Sequence, residues 1–128
     1  MNIRPILAAA VLTASAGTVL AATPASAGTE VITTGGCSGS ADWKMKAKAR
    51  DGRIEFEGEV DSNHSGQVWR WKIKHNGTVS ATGRATTAGR SGSFSINRRL
   101  VDLAGTDHLV FRAVDTNSGQ VCRGTLDF

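Results

Sequence analysis

WKMKAKARDGRIEFEGEVD, residues 43–61, is the stretch whose reading decides the fold class. Trp43, Met45, Ala47 and Ala49 alternate with Lys44, Lys46, Lys48 and Arg50. Past Asp51-Gly52, Ile54, Phe56, Gly58 and Val60 alternate with Arg53, Glu55, Glu57, Glu59 and Asp61. Period two marks a half-buried strand, because successive side chains leave opposite faces of the pleat. Asp-Gly suits the two positive-φ positions of a type I′ turn, whose twist matches the strands it joins. That turn sets Lys48, Lys46 and Lys44 against Glu55, Glu57 and Glu59 on the outer face. On the inner face Ala49 meets Ile54, Ala47 meets Phe56, Met45 meets Gly58 and Trp43 meets Val60. A one-residue slip destroys both patterns, so the register is well specified.

The same period recurs to the C-terminus. Trp69, Trp71 and Ile73 share a face, with Val68, Arg70, Lys72 and Lys74 on the other. Two loops fit the following turn. A two-residue Asn76-Gly77 turn sets Ile73 against Ser80. A three-residue His75-Asn76-Gly77 loop sets Ile73 against Val79, Trp71 against Ala81 and Trp69 against Gly83. The second buries apolar against apolar and is the one expected. A further strand over 93–100 points Phe94, Ile96 and Leu100 inward. Strands over 108–114 and 120–126 pair Leu109/Leu126, Phe111/Gly124 and Ala113/Cys122 inside, with Val110/Thr125, Arg112/Arg123 and Val114/Val121 outside. No segment after residue 27 holds a 3.6-residue apolar period for three turns, and turn residues recur every 8–12 positions. The prediction is an all-β protein.

Seven such strands over residues 37–126 resemble the immunoglobulin and fibronectin type III sandwiches, as in small secreted actinobacterial proteins of unassigned function. The family's Cys pair on its second and sixth strands is missing, which speaks against an antibody-type domain. The resemblance implies that strands 68–74, 108–114 and 120–126 share a sheet. It also brings the starts of the first and last strands to one end, where Cys37 and Cys122 would meet. A small closed β-barrel is the alternative fold.

The chain of 128 residues has 15 Lys+Arg, 11 Asp+Glu, two Cys and no Tyr. That is one domain, and its net charge of +4 is too small for a dedicated nucleic-acid packer. Arg4, an uncharged Ala/Leu/Val segment over 6–22 and Ala25-Ser26-Ala27 read as a secretory signal peptide, 1–27, cleaved after Ala27. The apolar run is short and polar for a retained anchor. Residues 28–36 are expected to be a flexible mature N-terminus, followed by the sandwich domain over 37–128. In an exported protein the two cysteines read as one disulfide, Cys37–Cys122, closing an 85-residue loop.

Nothing suggests an enzyme. Gly-x-Ser-x-Gly, His-Glu-x-x-His and phosphate-loop motifs are absent, and each glutamate of the first hairpin faces a lysine. His64, His75 and His108 read as separate solvated loop residues, so neither a metal nor another cofactor is expected. The outer positions of the predicted 68–74/108–114/120–126 sheet carry Arg70, Lys72, Lys74, Arg112 and Arg123 with no carboxylate. Arg112 opposite Arg123 is a like-charge pair that costs stability unless an anion lies between them. A monomeric, secreted binding module for an anionic polymer or acidic protein patch is the function this implies. The competing reading is an ordinary wet face whose cations reach Asp61 or Asp127. A second candidate surface is the set of end loops with Asp61, Asn63, His64, Asp115 and Asn117, suited to an inhibitor or effector docking on a protein. Asp-x-Asn in two of them resembles part of a calcium loop, without its bidentate Glu. A small-molecule carrier is the third possibility. Trp69 and Trp71 read as core, not as a sugar platform.

Overall fold

The computed structural model describes residues 29–128, so the predicted signal peptide lies outside the described residues. Eight strands follow in order: β1 (Glu30–Gly36), β2 (Asp42–Arg50), β3 (Arg53–Asp61), β4 (Val68–His75), β5 (Thr78–Thr86), β6 (Ser93–Val101), β7 (His108–Asp115) and β8 (Val121–Asp127). They form two four-stranded antiparallel sheets, β1-β2-β3-β6 and β5-β4-β7-β8. The all-β fold in two sheets is therefore as expected, with one strand more than the seven predicted. The addition is β1. It pairs along all of its length with β2, where a flexible N-terminus was expected. Val31, Thr33 and Gly35 lean on the core while Ile32, Thr34 and Gly36 face out. The run is too poor in large apolar residues to announce itself.

The β2–β3 hairpin has the predicted register at every pair, and Asp51 and Gly52 take φ of 52° and 73° as a type I′ turn requires. The β7–β8 pairing is likewise the predicted one. The β4–β5 hairpin departs from both candidate registers. Its turn is the two-residue Asn76-Gly77, with φ of 49° and 83°, and His75 pairs with Thr78 and Lys74 with Val79. A bulge at Ser80 then advances the register, so that Ile73 faces Ala81, Trp71 faces Gly83 and Trp69 faces Ala85. The extra residue reconciles two demands that no regular hairpin meets together: the favoured turn, and small residues opposite both indoles. A Cβ built on Gly83 would lie 2.5 Å from Trp71 Cζ2, so only glycine fits there.

One core lies between the sheets, built from Met45, Ile54, Phe56, Val60, Phe94 and Leu100 on one side and Trp69, Trp71, Ile73, Leu109, Phe111 and Leu126 on the other. Phe56 and Phe111 meet across the layers with ring centroids 6.1 Å apart, and Trp69 and Phe94 at 6.2 Å. Both separations are in the range of attractive aromatic pairs, worth about 0.5–1.5 kcal/mol each beyond their buried area. The Cys37–Cys122 disulfide ties the β1–β2 corner to the start of β8. Beside it Ser38 N–H donates to Val121 O and Gln120 Oε1 accepts from Ala41 N–H, closing that side of the molecule. At the opposite side, between β5 and β6, Arg98 occupies an inward register position opposite Phe56. Its guanidinium carbon lies 4.9 Å from the centre of a Trp71 ring, a cation–π contact across the seam.

Candidate functional site

Alternation along β4, β5, β7 and β8 sends every second side chain away from the core. Inward residues Trp69, Trp71, Ile73, Leu109 and Phe111 are buried, so the residues between them must face water. Arg70, Lys72, Lys74, Arg112 and Arg123 are all exposed on this outer face, and Val68, Val110, Val114 and Val121 lie half-buried among them. The structure thus brings together all five predicted basic residues. It adds a sixth, Arg84 on β5, which faces Arg70 across the strands. Arg84 escaped the sequence reading because the resemblance gave that sheet only strands 68–74, 108–114 and 120–126, whereas β5, which carries Arg84, joins it as its edge strand.

Like charges sit directly opposite one another three times: Arg70 with Arg84, Lys72 with Arg112, and Arg112 with Arg123. Opposed side chains are about 5 Å apart at Cβ, close enough for repulsion to lower stability. No face cation makes an ion pair within 4 Å among the described residues, whose pairs are Lys46–Glu57, Arg50–Glu55, His75–Asp107 and His108–Asp127. The two carboxylates nearest to hand in sequence terms are occupied elsewhere. Asp127 Oδ1 bonds His108 Nδ1, and Asp61 Oδ1 accepts from Asn63 N–H. On the other sheet the outer lysines of β2 face the glutamates of β3, and that surface is charge-balanced.

Within the cationic face lies an open depression of about 570 Å³, walled by Arg70, Lys72, Thr82, Arg84, Arg112 and Val114. Three strands contribute to it, with β4 in the middle.

The end loops are arranged differently. Ser62 is buried and its Oγ donates to Gly92 O or His64 O, Thr87 Oγ1 donates to His64 O, and Ser65 Oγ donates to Gly89 O. These bonds knit 61–67 to 86–92. Asp115 is 2% exposed, and its carboxylate accepts from Asn117 N–H and from Ser118 Oγ–H. Burial pushes that carboxyl up, but hydrogen bonds from Asn117 and Ser118 outweigh it and hold it below the usual range. Asp61 and Asp115 thus serve their own turns, while Asn63, His64 and Asn117 remain exposed.

His75 is not the solvated loop residue expected from the sequence. Its Nε2 lies 2.5 Å from Oδ1 of the buried Asp107, which also accepts from Leu103 N–H at 3.3 Å. This pair fastens the β6–β7 loop to the β4–β5 hairpin. No cluster of three or more metal-ligating side chains occurs among the described residues. No protein-family model matches the chain, and no curated protein or solved structure matches it significantly.

Proposed function

We propose that this protein is a secreted, monomeric, non-enzymatic binding module that holds a linear polyanion on the outer face of the β5-β4-β7-β8 sheet. The observation that carries this reading is the set of six exposed cations, with three like-charge pairs in direct register and no ion-pair partner among the described residues. Self-repulsion of this kind lowers stability and is relieved by a bound anion. A polymer suits the face better than an acidic protein patch. Protein interfaces are anchored by buried aromatic or large apolar side chains, and this face offers only valines beside its cations, four of them half-buried and Val79 exposed on the edge strand opposite Lys74. Exposed aromatic rings for base stacking are missing from it as well, so the attraction is to the charged backbone of the polymer. Export, expected from residues 1–27, and the Cys37–Cys122 disulfide are consistent with work outside the cell.

Two phosphodiester polymers test the reading: single-stranded DNA and poly(glycerol phosphate), each immobilised. The protein should be retained by both at low salt and released as salt rises, with a log–log slope of up to about −4 for six neutralised charges. Charge reversal at Arg70, Lys72, Arg112 and Arg123 together should abolish retention. Unchanged retention of that variant would falsify the proposal. A marked preference for one polymer identifies the source of the backbone.

A further inference from the structure

Charge on the face is not evenly spread. Arg70 stands directly opposite Arg84, Lys72 directly opposite Arg112, and Arg70 and Lys72 are two residues apart on β4. Strand spacing of about 4.8 Å and a rise of about 3.3 Å per residue place these four Cα positions within a patch roughly 10 Å by 7 Å. The same four side chains wall the depression of about 570 Å³, and Thr82 adds a hydroxyl to its rim. Lys74 and Arg123 lie outside it.

Four cations converging from three strands make a demand that a single carboxylate meets poorly, because its two oxygens lie in one plane. A tetrahedral phosphate presents oxygens on all sides. Two neighbouring phosphates of a polymer also bring one negative charge each into the span of the patch. Arginine forks match phosphate oxygens two at a time, and three of the four cations are arginines. Resting on the polyanion reading above, we infer that the depression is a discrete subsite for a pair of adjacent phosphate groups of that polymer. The remaining cations guide the rest of the polymer. Arg84 is the specificity-determining residue of the subsite, since its guanidinium completes the ring from the edge strand.

The probe is inorganic tripolyphosphate, with orthophosphate and citrate as comparisons, measured by calorimetry and by amide shifts of the β4, β5 and β7 residues. Tripolyphosphate should bind at least tenfold more tightly than either comparison and shift residues 70–72, 82–84 and 112. Arg84→Gln should weaken it about tenfold, the loss expected for one charged bidentate contact. Arg84→Lys, which keeps charge but not the fork, should lose several-fold, and Lys74→Gln less than threefold. Arg84 is exposed and opposed by Arg70, so these variants fold. Equal binding of the three anions, or equal losses in Arg84→Gln and Lys74→Gln, overturns the subsite. If the two polymers are still retained in that case, the polyanion reading survives; if neither they nor tripolyphosphate bind, both fall.

Discussion

Arg112 is the residue at which stability and binding should move in opposite directions. It faces Lys72 on one side and Arg123 on the other, and no carboxylate lies within 4 Å of it among the described residues. Each directly opposed like-charge pair is unfavourable by about 0.2–1 kcal/mol. Arg112→Gln removes two of them, so the variant should gain about 1 kcal/mol at low ionic strength. For a domain of about 100 residues that raises Tm by roughly 4–8 °C. The gain should fade as salt is added, because the screening length shrinks from about 30 Å at 0.01 M to about 3 Å at 1 M. Retention on the polyanion should fall in parallel, with the salt slope flattened by about 0.7–0.9. Thermal melts at 0.01, 0.15 and 1 M salt, beside elution from immobilised DNA, measure both quantities. A residue conserving the fold would show the reverse sign. A lower Tm at low salt, or a gain that does not depend on salt, refutes the claim that the face is held in repulsion.

Other outcomes follow from the rest of the molecule. Replacing Cys37 and Cys122 by Ser opens the 85-residue loop and should cost about 4–5 kcal/mol on the chain-entropy view, read from urea midpoints. Gly83→Val drives a side chain into the Trp71 indole and should cost about 1–3 kcal/mol, while the exposed Thr82→Val changes stability by less than about 0.5 kcal/mol. Deleting Ser80 removes the bulge but keeps Ile73 opposite Ala81, so the fold should survive with its NMR cross-strand contacts unchanged. The lowered pKa of Asp115 means that its contribution is present above the unfolded carboxylate value of about 3.9 and is lost as pH falls through the folded value. Asp115→Asn should therefore be less stable than the parent near pH 6, and the two stability curves should converge in acid.

The first and last hairpins were legible because each alternates cleanly and carries its own register signal. Lys-against-Glu pairing and Asp51-Gly52 leave one solution for β2–β3, and Leu109, Phe111 and Ala113 leave one for β7–β8. The middle hairpin was not, since its turn and its apolar pattern favour registers that differ, and a bulge is a compromise between them. β1 was missed for a different reason: an edge strand needs only one buried face and one neighbour, so threonine and glycine suffice. His75 was read as solvated because its partner, Asp107, is 32 residues away and reaches it only through the packing of the β6–β7 loop.

Local alternation determined which side of each strand meets water, and with it the outward direction of all six cations of the candidate face. That much needs no partner strand, because the pleat itself sends neighbours to opposite sides. The place of β5 beside β4 in that sheet came only with the structure. Which cations become neighbours is a property of the assembled sheet. Arg84 stands opposite Arg70, on the wall of the depression between β5, β4 and β7, because the β4–β5 register, with its bulge at Ser80, accommodates both the Asn76-Gly77 turn and the indoles. Register is set by the competition between turn geometry and core packing across both sheets, and no single strand carries that information.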